Sequence, residues 1–422
     1  MNSRAACPPC AELGRTAQSR SGRSRDPVLV FAFEERFHRC PDGLIYSLNG
    51  FDGAFWDRYR QFFPEMRVLA RVQSVEAPAA GAVPVPEGLS FHALPLFGPL
   101  RSPLNGPLLL SEVRRGLEGA DAYAIRAPGL LSLLVERQVR RSGRPFAVEL
   151  VGDPQAASAP GLVSPAVAAA GPFITRSTKR LCRTADAVSY VTRSYLQKRY
   201  PAASGALTGA FSDAILPPHL IRATPRPASF FADRPFRMLF VGSLQQPYKG
   251  ADILFEAVRR LVARGFPLSL RVAGEGRLRA KLEQQIARQG LAGTVEFLGR
   301  ISRNQVIAEM DACHLLIQPS RSEGLPRSIV EALGRGTPVL ASDVGGISEI
   351  VSCEQLCPVG DPDALAEAIR RSLDQPELLA ALSARNLLSA RSIAPEVLAE
   401  SFSAFWSAFR DLAAERPGLA CR

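Results

Sequence analysis

Short apolar runs alternate with helical patterns along this chain, and they do so in two series. The first series places strands at residues 28–33, 66–70, 122–125, 146–150 and 187–191. The second places them at 237–241, 268–273, 295–298, 315–317 and 338–341. Between them, stretches such as 251–263 and 278–289 bring apolar residues back every three or four positions, the period of a helix with one buried face. Strands separated by helices predict parallel, doubly wound α/β sheets, one for each series. Ligands of such sheets bind at the carboxyl ends of the strands. An irregular segment holding Pro217, Pro218, Pro225, Pro227 and Pro235 separates the two series.

The predicted organisation is a lead-in over 1–26, a first domain over 27–216, a linker over 217–235 and a second domain over 236–395. A last helix follows over 396–422, with an apolar face through Phe402, Phe405, Trp406 and Phe409 that is expected to pack back on the first domain. A chain of 422 residues with 46% hydrophobic content is long enough for two sizeable cores. The lead-in carries Arg4, Arg15, Arg20, Arg23 and Arg25 without the apolar run of a secretory signal. The apolar stretch 161–173 is interrupted by Pro165, Gly171 and Pro172, which argues against a membrane-spanning helix. Neither Cys7 and Cys10 nor Cys353 and Cys357 have the second pair a zinc site requires, and the four histidines are not clustered. A reduced, cytoplasmic protein without bound metal is expected.

The formal net charge of +11 asks for an acidic partner. Between residues 176 and 200 the bases Arg176, Lys179, Arg180, Arg183, Arg193, Lys198 and Arg199 face a single acid, Asp186. Arg137, Arg140, Arg141 and Arg144 close the helix expected to start near Pro128. Anionic lipid headgroups suit such faces, and a solvated helix face is the plainer alternative. Nucleic acid fits less well, because no aromatic recognition motif accompanies the charge.

The most informative segment runs from Ser322 through Glu323-Gly324-Leu325-Pro326-Arg327-Ser328-Ile329-Val330 to Glu331, directly after a predicted strand. It reads as strand, turn and helix, with Glu323 at the helix entrance and Glu331 inside it. A helix starting near Pro326 sets the two carboxylates roughly 10 to 12 Å apart, the span of the two sugars in a nucleoside diphosphate sugar. Backbone N–H groups at the helix start can face the diphosphate between them. Alternatively, Glu323 complements the helix dipole and Glu331 is a surface acid.

The ordered set Gly242-Ser243-Leu244, Tyr248-Lys249-Gly250, Val272-Ala273-Gly274-Glu275-Gly276, Phe297-Leu298-Gly299-Arg300, the Glu323 to Glu331 box, Asp343-Val344-Gly345-Gly346 and Gly360-Asp361-Pro362 resembles the retaining, family 4 type of GT-B glycosyltransferase. The resemblance implies two Rossmann-like domains facing a central cleft, the first for the acceptor and the second for the donor. It implies that Gly242 and Ser243 lie at the donor diphosphate, that Lys249 neutralises it and that Arg300 lies near the base. Glu323 would contact the transferred sugar, with backbone N–H groups of Gly324 and Leu325, and Glu331 would hold the ribose. Glu323 and Lys249 are thereby the candidate catalytic residues, and a fixed cation is suited to a leaving diphosphate whose charge grows as the glycosidic bond breaks.

This chain departs from the family pattern in three places. Ser243 stands where an arginine is common, the stretch Glu149-Leu150-Val151-Gly152-Asp153-Pro154 where a strand-end histidine is common, and Asp42-Gly43-Leu44 where paired glycines are common. Gly43 and Asp153 are the candidate acceptor or sugar contacts. Asp361-Pro362-Asp363 reads as a helix start rather than a metal site. The implied reaction moves a hexosyl group from a UDP- or GDP-linked sugar to a hydroxyl of a glycan or lipid-linked acceptor. Bacterial polysaccharide synthesis at the inner face of the plasma membrane fits the basic surface, with no nucleic acid partner. A sugar-nucleotide epimerase of similar architecture and a noncatalytic anion-binding protein are the alternatives.

Overall fold

The computed structural model describes residues 25–48, 50–79, 81–95, 105–212 and 216–416. Nearly all of the expected lead-in, the Cys7 and Cys10 pair and the last six residues lie outside this range. The first sheet contains β1 (Leu29–Arg39), β2 (Ile45–Ser47), β3 (Met66–Ser74), β4 (Val83–Pro84), β5 (Ser90–Leu94), β6 (Ala122–Ala127), β7 (Phe146–Leu150), β8 (Ala187–Tyr190) and β9 (Leu207–Ala210). Its parallel order is β5-β3-β1-β6-β7-β8-β9, and the antiparallel pair β2 and β4 flanks the far half of β1. Helices cover both faces, so β6 and β7 are buried at every position. The β1–β3 register shifts between Ala32 and Arg36, a bulge that re-aims the strand end carrying Glu34 and Glu35.

The second sheet is wholly parallel. Its strands are β10 (Phe236–Val241), β11 (Leu268–Ala273), β12 (Val295–Gly299), β13 (Leu315–Gln318), β14 (Val339–Ser342) and β15 (Leu356–Cys357), in the order β12-β11-β10-β13-β14-β15. The strand order reverses between β10 and β13. Loops leaving these two neighbours diverge and open the crevice in which such sheets bind ligands.

The Pro-rich stretch between the sheets is not a free connection. Arg226 is 3% exposed and donates to the carbonyls of Met310, Asp311 and Cys313 and to Thr337 Oγ1. Phe231 is buried in the second core, so this segment is fastened to the second domain. The chain returns through helix Pro395–Glu415, which buries Phe402, Phe405, Trp406 and Phe409 against the first sheet and helix Gly53–Arg60. The Trp406 ring lies 5.1 Å from that of Tyr59. Burying each such ring stabilises by about 1.5 to 3 kcal/mol.

Candidate functional site

A cavity of about 590 Å³ lies between the two domains, at the reversal point of the second sheet. The first domain contributes Glu35 from the β1 bulge and the segment holding Leu48, Gly50, Phe51 and Asp52; the second contributes Val241, Gly242, Ser243, Tyr248 and Lys249 from the end of β10 and the loop after it, and Arg300, Arg303, Arg327 and Glu331 from the segments that follow β12 and β13. A side pocket of about 170 Å³ adjoins it at Ser243 and Arg300 and reaches Gly274, Glu275 and Gly299. Both volumes together suit a ligand with one compact planar end and a longer polar body.

Lys249 closes a short 3-10 turn after β10. The next residue adopts φ +75°, and a Cβ there would stand 1.9 Å from the Pro319 carbonyl oxygen. Only glycine permits both, so Gly250 lets the turn press against the loop after β13 and carries Lys249 beside Glu323. Lys249 Nζ donates to Glu323 Oε1 at 2.7 Å, and Ser320 Oγ donates to the same oxygen at 2.6 Å. Burial pulls the Lys249 pKa down, but the Glu323 carboxylate outweighs it and holds the ammonium above its usual value. The cavity therefore has a fixed, permanently charged cation.

Helix Arg327–Gly334 starts at Pro326 and points its N-terminus at the cavity region, where Arg327, Ser328 and Glu331 line the wall. Burial raises the Glu331 pKa, partly offset by Arg303 and Arg327, and Arg303 Nε donates to Glu331 Oε1 at 3.0 Å. Arg300 Nη1 donates across the domain boundary to the Leu48 carbonyl at 2.7 Å.

Gly242, Ser243, Lys249, Arg300 and Glu331 are thus brought together. Glu323 is 7% exposed at its side chain and is not among the lining residues; its carboxylate is given to Lys249 rather than turned into the cavity. Gly324 packs against the first domain, where a Cβ would lie 2.1 Å from the Val151 carbonyl oxygen. Leu325 packs in the cores beside that contact. The Gly324 carbonyl accepts from Gly346 N at 2.7 Å, so the second paired glycine backs the acidic loop.

Two acceptor candidates fall outside the cavity lining. Gly43 forms an exposed turn at φ +84°. Asp153 is 1% exposed and caps helix Pro154–Ala157 through Gln155 N at 3.0 Å. It also accepts from Tyr195 Oη at 2.7 Å and from Tyr200 Oη, and pairs with Arg199 at 2.9 Å. Every lone-pair direction is engaged, which departs from the expected sugar contact.

Glu35, Phe51, Asp52 and Arg303 also line the cavity without a motif to mark them, and Tyr248 and Arg327 line it from within the motifs, where no role attaches to them by sequence. For Arg327 a signal existed: it precedes Glu331 by four residues, the helical spacing that puts both on one face. Nothing local marks Phe51 or Glu35, which reach the site only through the fold of the first domain. Among the described residues no group of three or more His, Cys, Asp or Glu is placed to hold a metal. Asp361 caps helix Pro362–Leu373 through Asp363 N and Ala364 N, both at 2.9 Å.

Residues 222–387 match the family described as glycosyl transferases group 1. Protein CapJ of Staphylococcus aureus is 25% identical over 352 residues, covering 82% of this chain and 86% of that protein. The amylovoran biosynthesis glycosyltransferase AmsK of Erwinia amylovora is 31% identical over 147 residues, covering 33% of this chain and 36% of its own length. Apart from CapJ, the other leading curated relatives are spanned for 33% to 39% of their length. Among solved structures, a sucrose-phosphate synthase from Thermosynechococcus elongatus has a TM-score of 0.67 at 18% identity, covering 93% of this chain and all of that one (100%). Anabaena HepE in complex with UDP-glucose has a TM-score of 0.60 at 18% identity, covering 92% of this chain and 98% of its own. These likenesses establish the GT-B arrangement of two Rossmann-like sheets.

Proposed function

We propose, from the premise that this chain is a glycosyltransferase of the GT-B fold with a group 1 domain at residues 222–387, that it moves a hexosyl group from a UDP- or GDP-linked sugar to an acceptor hydroxyl with retention of configuration. The observation that carries this reading is that Lys249, Glu331 and the first turn of the helix holding Glu331 line one interdomain cavity. The base occupies the side pocket beside Arg300, Glu331 accepts from the ribose hydroxyls, and the diphosphate lies against Gly242, Ser243 and Lys249. As the glycosidic bond breaks, Lys249 meets the growing charge on the leaving diphosphate. Glu323 acts by holding Lys249 in place. A donor phosphate oxygen takes the acceptor proton on the departing face, so the step requires no protein nucleophile. Gly324 and Leu325 back the Glu323 loop where it meets the first domain, and closure of the domains excludes the water that would hydrolyse the donor.

The acceptor side of this reading is a glycan or lipid-linked glycan in polysaccharide synthesis, on an anionic membrane surface at the cytoplasmic face. Its support is helix Pro165–Thr184, which exposes one continuous stripe: Ala166, Ala169, Pro172 and Phe173 in its first half, then Arg176, Arg180 and Arg183. Phe173 is 64% exposed. Part of the positive charge is spent internally, since Glu136 holds Arg180 and Asp153 holds Arg199. No helix among the described residues is long and apolar enough to cross a membrane.

Calorimetric titration with UDP, GDP and ADP tests the donor reading, with Lys249→Ala as control. One nucleotide is expected to bind best and to lose affinity in the variant. Absence of binding to all three overturns it. Donor consumed without any acceptor points instead to the epimerase. Sedimentation with vesicles containing phosphatidylglycerol tests the surface; equal binding by Phe173→Glu and wild type removes the helix from it.

A further inference from the structure

The loop after β2 belongs to the first domain, yet two arginines of the second domain hold it. Arg300 bonds the Leu48 carbonyl at 2.7 Å, and the Arg327 guanidinium stands over the Phe51 ring, 5.3 Å from its centroid. Phe51 is 3% exposed and is clamped in turn by Phe33 and Phe55, whose rings lie 4.9 and 4.7 Å away. It is a rigid platform. A planar cation resting on an aromatic face keeps its N–H groups at the rim, aimed sideways, and loses little freedom when an anion arrives.

Arg327 lines the same cavity as Gly242, Ser243, Lys249 and Glu331. Its charge acts on both Lys249 and Glu331, so it stands within electrostatic reach of each. In that stretch of wall the loop after β10 offers only the neutral Ser243, and the Lys249 ammonium already meets Glu323 at 2.7 Å. A diphosphate brings more negative charge than one neutralised lysine offsets. A fork of guanidinium N–H groups can bond two phosphoryl oxygens at once.

Resting on the donor reading above, we infer that Arg327 is a ligand of the donor diphosphate, with Phe51 of the opposite domain as its positioning residue. The diphosphate is then gripped by a side chain that both domains hold, so donor binding and closure of the cleft are one event.

The test titrates wild type, Arg327→Ala, Arg327→Lys and Phe51→Leu with three ligands: the best-binding nucleoside diphosphate, its monophosphate and the nucleoside. Arg327→Ala is expected to weaken the diphosphate by about 10- to 100-fold, the range for a hydrogen bond to a charged group, and the nucleoside by less than about threefold. Arg327→Lys retains the charge without the fork and falls between. Phe51→Leu lowers the diphosphate-to-nucleoside affinity ratio in the same direction by a smaller factor. An equal loss for all three ligands assigns Arg327 to packing and overturns the inference, as does an unchanged diphosphate affinity. The lysine variant carries the test if the alanine variant fails to fold. Failure of wild type to bind any nucleoside diphosphate instead removes the donor reading itself.

Discussion

Asp153 is a buried carboxylate just after β7 and Glu331 a half-buried one in the helix that follows β13, one in each domain, and their surroundings differ in one decisive way. Asp153 meets two tyrosine hydroxyls, an arginine and a backbone N–H, all from its own domain. Glu331 has Arg303 as its bonded partner on one side and the cavity on the other. The same contrast extends to the cations. Arg126 of the first domain is closed in by Glu149 at 3.1 Å and by the rings of Phe33 and Phe51, whereas Lys249, Arg300, Arg303 and Arg327 line open space. A charge enclosed within its own domain specifies shape; one that borders a cavity stands where a ligand meets it.

The strongest way to break this contrast is Asp153→Ala, which strands Arg199 and two buried hydroxyls. It is expected to cost about 3 to 5 kcal/mol of stability, read by denaturant unfolding, while the affinity of folded protein for nucleoside diphosphate stays unchanged. A selective loss of affinity with intact stability would return Asp153 to the site. Lys249→Ala is expected to lower transferase turnover of the folded protein by about 100- to 1000-fold. Turnover within a few-fold of wild type would remove Lys249 from the chemistry.

Glu331→Gln is expected to weaken donor binding by about tenfold, a loss that a titration with the intact donor detects. Because burial raises the Glu331 pKa, protonation starts above the ordinary value of 4.5. Donor affinity of the wild type should therefore fall as pH is lowered toward that range, and the Gln variant should lack this limb; parallel pH profiles would argue against a carboxylate contact. The smallest effect expected is that of Glu349→Ala. Glu349 of the second domain accepts from Ser194 N at 3.0 Å and Tyr195 N at 2.8 Å, capping a helix of the first. Its loss should cost about 1 to 2 kcal/mol and separate the two domains' unfolding in calorimetry. A single unchanged transition would mean the domains are held elsewhere.

The sequence made the second domain legible because its site is built from local segments. Lys249 and Arg300 lie on the segments directly after β10 and β12 and Glu331 on the helix after β13, and these connections bring all three to one crevice. Arg327 was legible in principle from its four-residue spacing to Glu331. The first domain resisted because its cavity residues lie on a bulge and a loop whose positions depend on long-range packing: Glu35 on the shifted end of β1, Phe51 wedged between Phe33 and Phe55. Strands β2, β4, β5, β9 and β15 also lie outside the expected set. Each is short, and β5 and β9 carry polar or small residues such as His92 and Gly209 that dilute the apolar pattern. Asp153 misled for the opposite reason: its position after a strand suggested an open site, and the tyrosines that occupy it come from more than 40 residues further along.

Helix Pro395–Glu415 has a bearing on biosynthesis. The rings of Phe402 and Phe405 lie 5.0 and 5.4 Å from Phe211, nearly two hundred residues earlier in the chain. A ribosome adding about 5 to 20 residues per second delivers that helix on the order of 10 to 40 seconds after the first sheet is complete. Until then an aromatic surface of the nascent first domain stands uncovered. The half that is made first is finished last, and the interval is the period in which a chaperone has most to shield.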